Sequence, residues 1–332
     1  MVPTPRRTTA AAFPTEVFAK RCVSVALLIP TLDEAETVGA TVSAGVRLRD
    51  QGVLDEVVVV DGGSADSTVD EARAAGARVV DADGIYPETG PVLGKGDTLW
   101  RGLGAMDVDV VAFLDADLQG DVEAMIRGLL GPMVVDPEAV PGLNGGAPPV
   151  EFVKGAFRRI APDGASPSDP FDGGRVTEMV VRPLLNLWRP DLAGFYQPLS
   201  GQVAGRTGLL RSLPMLTGYA LEIGMLLDVV EAVGFRSVVE VDLGTVRNRP
   251  RPTGELAPMA QEVLYGFARR VLPTAARPRW RPYARPARPG ETSLDQMEME
   301  LLPSTVVERP PIDPFSDRRE PAGGSVQERL RS

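Results

Sequence analysis

The chain has 332 residues, 43% of them hydrophobic, enough for one large domain with a substantial core. Its 45 acidic residues outnumber its 35 basic ones for a formal net charge of −10, which argues against duplex nucleic acid as a partner. There is no histidine and a single cysteine, which removes imidazole acid–base chemistry, imidazole metal ligation and any intrachain disulfide framework.

One cysteine fits a reducing compartment, so the expected location is cytoplasmic. Cys22 opens an apolar run and is expected to be a buried thiol. No apolar stretch approaches the ~20 residues of a membrane-spanning helix, so no membrane partner is expected. Residues 1–20, with Pro3, Pro5 and Pro14 spaced through them, are expected to form a flexible arm. Residues 23–30 read as the first strand, Pro30-Thr-Leu-Asp-Glu34 as its turn, and 37–48 as a helix by apolar spacing. Residues 56–60 form a second strand, ending in Asp61-Gly-Gly-Ser-Ala-Asp-Ser-Thr68. The two glycines let backbone approach a ligand, and Ser64, Asp66 and Ser67 are N-cap candidates for the helix that follows.

Residues 76–81 make a third short strand, and a loop then ends in Gly94-Lys95-Gly96 ahead of a helix over 97–106. Lys95 at a helix start would face an anion together with the helix N–H groups. It is not a Walker loop, because the spacing and the following Ser/Thr are missing. Residues 110–114 are five apolar residues closed by Asp115-Ala116-Asp117. Such a run reads as a buried strand delivering two carboxylates at its carboxyl end, where open α/β sheets bind ligands. Carboxylates there suit a hard divalent ion whose shell is completed by substrate phosphates. The strand–helix alternation predicts a parallel sheet with right-handed crossovers.

A helix over 122–130 precedes a Pro/Gly-rich loop at 134–149 and a strand at 151–159 with a basic end. After a second Pro/Gly-rich stretch, Gly173-Gly-Arg-Val-Thr-Glu178 starts a helix running toward Trp188. Its backbone N–H groups, Arg175 and Thr177 would make an anion site, though Arg175 paired with Glu178 on a helix surface fits equally well. Gln197-Pro-Leu-Ser-Gly201 is a turn. Tyr219 and Glu222 would share one face of a helix reaching Val233. A strand over 238–243, a loop with two arginines, and a helix over 255–270 complete the ordered part. Residues 273–332 are dense in Pro, Arg and acids and read as a disordered tail with a short helix near 294–301.

Pro30-x-Leu32-x-Glu34, Asp61-x-Gly-Ser64, Gly94-Lys-Gly96 and Asp115-x-Asp117 together resemble the nucleotide-sugar half of a GT-A glycosyltransferase. Val153-Lys154…Arg158-Arg159, Gly173-Gly-Arg-Val-Thr-Glu178, Gln197-Pro-Leu199, Gly218-Tyr-x-x-Glu-Ile-Gly224 and Arg247-Asn-Arg-Pro250 resemble the glucosyl-3-phosphoglycerate synthase family, retaining enzymes of actinobacteria. The resemblance implies a GT-A fold: a Rossmann-like, mostly parallel sheet flanked by helices, with a disordered C-terminal tail. It divides the chain into an arm (1–20), a nucleotide-sugar-binding half (21–133), an acceptor-binding half of the same domain (134–272) and a tail (273–332). It further implies glucose transfer from UDP-glucose to 3-phosphoglycerate, a Mg²⁺ or Mn²⁺ cofactor and a homodimer. Carried onto this sequence, Pro30, Thr31, Leu32, Glu34 and Ser64 would hold the uridine. Lys95, Asp115 and Ala116 would contact the rest of the donor, and Asp117 would bind the metal. Gly174, Arg175, Val176 and Thr177 would hold the acceptor with Asn248 and Arg249. Tyr219 and Glu222 would face the glucose, and the carbonyl near Leu199 would lie by the acceptor hydroxyl.

Three positions depart from the family pattern. Val246 stands where the family has a metal-binding histidine, and Asp242 nearby is a candidate replacement. Asp33 stands for an asparagine, and Leu199-Ser-Gly-Gln202 replaces a Gly-Gly-Glu turn. Two further readings follow: a relative redirected to another nucleotide sugar or acceptor, and a non-catalytic sugar-nucleotide-binding protein.

Overall fold

The computed structural model describes residues 4–136, 140, 143, 146–160, 174–247, 253–272, 280–286, 297–303 and 306–313. Eight strands form one sheet. In chain order they are β1 (Arg6–Thr9), β2 (Val25–Thr31), β3 (Glu56–Asp61), β4 (Arg78–Asp81), β5 (Val110–Phe113), β6 (Phe152–Ile160), β7 (Val203–Arg206) and, after the two-residue β8 (Met215–Leu216), β9 (Val238–Arg247). Their spatial order is β1-β9-β6-β7-β5-β2-β3-β4. Only β7 runs antiparallel to its neighbours in this sheet.

The central parallel strands β2, β3 and β5 read as nearly unbroken apolar runs because both faces are covered. Alternate residues of β2 and β3 go to opposite cores. Leu27, Ile29, Val57 and Val59 join one, under α1 (Val38–Asp50), α2 (Thr68–Ala74) and α4 (Val122–Val134). Ala26, Leu28, Val58 and Val60 join the other. That face lies under α3 (Gly94–Gly104), α5 (Arg182–Trp188), α6 (Thr207–Arg211), α7 (Leu221–Val233) and α8 (Thr253–Val271). Among the described residues no helix is long and apolar enough to cross a membrane.

The expected flexible arm is instead part of the sheet. Residues 6–9 pair in parallel with β9, and Phe13 and Phe18 are buried in the first core. The ring of Phe13 occupies the place where a Cβ on Gly131 would stand. Gly131→Ala is therefore expected to overpack this seam and cost about 1–3 kcal/mol, read as a lower urea midpoint with an unchanged slope.

The tail also differs from expectation. Residues 297–303 form β11 (Met297–Pro303), antiparallel to β10 (Trp280–Pro286), and not a helix. Met297, Met299 and Leu301 alternate with Glu298 and Glu300, which is a period of two. Residues 306–313 dock alongside, with β12 (Glu308–Arg309) pairing with β8, Val306 buried in a small third cluster with Leu216 and Ala220, and Ile312 packed on the second core. Cys22 is exposed, in the connection that ends before β2 begins.

Candidate active site

Two turns at the carboxyl ends of β2 and β3 are laced together. Asp61 is nearly buried; its carboxylate accepts from the Thr31 hydroxyl at 3.1 Å, the Ser64 hydroxyl at 2.6 Å and the Gly63 and Ser64 N–H groups. Ser64 Oγ in turn accepts the Asp33 N–H at 2.9 Å, and Thr68 Oγ1 accepts that of Glu34 at 2.8 Å. Asp33 sits at φ 55°, a left-handed conformation that Asp and Asn tolerate, and its Oδ1 accepts the Ala65 N–H. Leu32 is left 55% exposed at the mouth of this cradle. Burial pushes the Glu34 carboxyl above its ordinary value, and Asp117, Asp115 and Asp66 push it the same way against a bond from Thr37.

The next strand along supplies the acids. Asp115 follows β5 and lies 2.6 Å from Lys95 Nζ, while Glu222 Oε1, from the first turn of α7, lies 3.2 Å from the same nitrogen. Lys95 thus joins groups far apart in sequence. Burial alone would lower its pKa, but the two carboxylates outweigh that and hold it above the ordinary lysine value. Gly201 closes the group. A Cβ there would collide with Lys95 Nζ and stand 3.2 Å from Asp115 and 3.4 Å from Glu222. Next to it, Gln202 Nε2 donates to Asp115 Oδ2 at 2.7 Å. Ala116 is buried, and its carbonyl accepts the Thr41 hydroxyl. Tyr219 is partly exposed in the turn before α7, its N–H bound to Glu262.

A cavity of about 390 Å³ is walled by residues other than these. Gly174 and Thr177 line it with Arg158, Arg159, Tyr196 and Gln197. Burial pulls Arg159 below its ordinary value, and Asp115 opposes the shift, which links the cavity wall electrostatically to that carboxylate. The Val176 side chain packs into the second core, so only its backbone is available there. Arg175 is half-buried in the turn that precedes a π-helical stretch at Thr177–Val181. Glu178 is bound by Arg182 through two hydrogen bonds. Asn248 and Arg249 lie outside the described residues. Two residues were named in motifs but given no role by sequence reasoning: Gln202 and Lys154. Lys154 is fully buried in β6, with Nζ 2.7 Å from the Ser200 carbonyl. A lone lysine inside the apolar run Phe152-Val-Lys-Gly-Ala-Phe157 was the available signal.

The residues present suit a hard cation with few protein ligands. Asp117 is exposed at the carboxyl edge of the sheet, and its charge and that of Asp115 add to the rise that burial causes at Glu34. Among the described residues no group of three or more His, Cys, Asp or Glu is placed to hold a metal ion. Val246 supplies no ligand. It is 1% exposed in the first core, within a β9 that runs on to Arg247 and whose end is tied to the Asp117 loop by Arg247 N–H to Gln119 O at 2.9 Å. Asp242 is occupied elsewhere, 3.8 Å from Arg158 and bonded to the Gly244 N–H.

Residues 26–157 match the family model Glycosyl transferase family 2. The glucosyl-3-phosphoglycerate synthase of Mycolicibacterium smegmatis is 41% identical over 247 residues, covering 74% of this chain and 77% of its own. The chain belongs to the glucosyl-3-phosphoglycerate synthase family. Solved structures of this kind superpose on most of it. The mannosyl-3-phosphoglycerate synthase from Rubrobacter xylanophilus does so at TM-score 0.78 and 32% identity, over 92% of this chain and 94% of that one. The glucosyl-3-phosphoglycerate synthase from Mycobacterium tuberculosis, in complex with Mn²⁺, UDP and phosphoglyceric acid, does so at TM-score 0.75 and 32% identity, over 94% and 99%. The fold is therefore GT-A, and this member of the synthase family is a glycosyltransferase.

Proposed function

We propose that the protein transfers glucose from UDP-glucose to 3-phosphoglycerate with retention of configuration. The observation that carries this reading is the Lys95 ammonium held between Asp115 and Glu222, directly against the turn at Gly201. It joins the nucleotide-sugar half to the acceptor half at one point. Pro30, Thr31, Leu32, Glu34 and Ser64 form the uridine cradle, and Lys95 has a third N–H to offer a diphosphate. Asp115, the Ala116 backbone, Tyr219 and Glu222 border the hexose. Arg175, with the Gly174, Val176 and Thr177 backbone, Asn248 and Arg249, meets the acceptor phosphate and carboxylate.

The chemistry asks for positioning more than for a protein base. The acceptor hydroxyl attacks the anomeric carbon on the face that UDP leaves, its oxygen forms the new glycosidic bond, and the departing phosphate oxygen takes its proton. Lys95 stabilises charge on the departing diphosphate, and the Leu199 carbonyl orients the hydroxyl. Mg²⁺ or Mn²⁺ held by Asp117 and the donor diphosphate would offset the same charge.

Calorimetric titration of UDP-glucose and GDP-glucose, each with and without Mn²⁺, tests the donor. Metal-dependent binding of UDP-glucose is expected, followed by product formation from 3-phosphoglycerate that disappears in Asp117→Ala. No transfer with either metal would overturn the reading. A second reading, another hexose nucleotide or acceptor, is supported by two observations. Gln202 presents an amide to Asp115 where the family pattern has a carboxylate, so the charge beside the donor differs. The Rubrobacter relative is named for a mannosyl product. Preference for GDP-sugars, or metal-free binding, would favour this second reading.

A further inference from the structure

Strand alternation places two ionisable residues where apolar ones would pack. Phe152 and Val238 belong to the second core, and two residues further on Lys154 and Glu240 face the same way. They are register partners on β6 and β9, and both are buried. Across β9, Arg7 of β1 is also a register partner of Glu240, its Nε 2.9 Å from Oε2. A row of alternating charge, Arg7–Glu240–Lys154, thus crosses three neighbouring strands on one face of the sheet. Buried charge persists only where it is paired or hydrogen-bonded.

The two inner charges hold one turn. Glu240 Oε1 accepts the Tyr196 N–H at 2.6 Å and the Gln197 N–H at 3.3 Å. Lys154 Nζ donates to the Ser200 carbonyl at 2.7 Å. The turn closes on itself through Ser200 N–H to Gln197 O at 3.0 Å. Both ends of the segment carrying Leu199 are gripped from the sheet side. On its other side Gly201 and Gln202 abut Lys95, Asp115 and Glu222.

We propose that Lys154 and Glu240 are positioning residues for transfer, fixing the Leu199 turn against the acceptor, with Lys154 needed as a cation and Arg7 keeping Glu240 ionised. This rests on the transferase reading above. Burial pulls Lys154 down to about 8; Glu222 of α7 draws it up, Lys95 of α3 pushes it further down, and Glu240 of β9 draws it up. Burial pushes Glu240 up, and Arg7 and the two N–H groups hold it back. The Lys154 cation is therefore complete only well below pH 8 and is lost as pH rises through about 8.

The test is the pH dependence of kcat for the wild-type enzyme and Lys154→Met, with whichever donor and acceptor turn over. Wild-type kcat is expected to fall as pH rises through about 8. In Lys154→Met, kcat at neutral pH should drop about 10²-fold and the alkaline limb should vanish. Donor KM should change by less than about twofold, since the donor contacts are elsewhere. A flat wild-type profile, or a limb that survives in Lys154→Met, overturns the proposal. Should Lys154→Met not fold, the wild-type profile still decides. Glu240→Gln then adds a second measurement: it keeps an acceptor for the Tyr196 N–H but removes an anion facing Lys154, so the limb should move to lower pH. An unmoved limb overturns the pairing. No turnover with any donor brings down the transferase reading and this inference together; an active enzyme with a flat profile brings down this inference alone.

Discussion

Lys95→Met is expected to cut sugar transfer by about 10²–10³-fold in a protein that still folds. The ammonium is the cation 2.6 Å from Asp115 and 3.2 Å from Glu222, and the pair holds it charged throughout the working pH range. Methionine fills the same volume and leaves two carboxylates facing each other. Charge building on the departing diphosphate then meets an anionic pocket in place of a compensated one. The rate at saturating donor and acceptor is the measurement, with thermal unfolding as control. Lys95→Met/Glu222→Gln separates the two effects. Removing one of the facing anions should recover stability while leaving the rate low. Recovery of both would mean that Lys95 serves the fold alone.

Arg309→Met is expected to cost about 3 kcal/mol of folding stability, read by urea denaturation. Asp97 is completely buried, and Arg309 meets it through two hydrogen bonds of 2.7 Å, Nε to Oδ1 and Nη2 to Oδ2. The same carboxylate accepts the Leu93 N–H at 2.9 Å, just before Gly94-Lys95-Gly96, and stands 3.5 Å from Arg101. Without Arg309 it keeps these weaker partners in an apolar site. Around it, Trp100 Nε1 donates to the Pro310 carbonyl, and the Thr217 N–H donates to that of Val307. One segment near the end of the chain thus braces both the helix that carries Lys95 and the turn that carries Tyr219. A midpoint unchanged in Arg309→Met would show that Arg101 alone compensates Asp97.

The central strands were legible because burial on both faces writes a continuous apolar run. Residues 25–31 of β2 are all buried, and a run this short, closed by a turn, suits a strand of a covered sheet better than a helix. Strand β1 was not legible. Arg6-Arg7-Thr8-Thr9 has no apolar pattern, and its place depends on Glu240, more than two hundred residues away. The docked segment at 306–313 was hidden for the same reason: Arg309 and Asp97 reveal themselves only as a pair. Within the site, Lys95, Asp115, Tyr219 and Glu222 were each visible as residues at element ends. The convergence of Asp115 and Glu222 on the Lys95 nitrogen, and the fit of Gly201 against it, is a product of packing. Lys154 was named in a motif but given no role, because its strand reads as structural and only the register with Glu240 shows its charged neighbour. Cys22 erred the other way, since the strand it seemed to open starts three residues later.

The brace at Arg309 also bears on how the molecule is made. A chain leaving the ribosome exposes its amino end first, and Asp97 emerges more than two hundred residues before its partner. Until Arg309 has been made, the helix bearing Lys95 must begin on a carboxylate lacking its main counter-charge, and the unfinished polypeptide should keep that end of the helix frayed. Competence to handle a sugar nucleotide would then wait on the docking of residues 306–313, however early the strands and turns of the amino-terminal half are made.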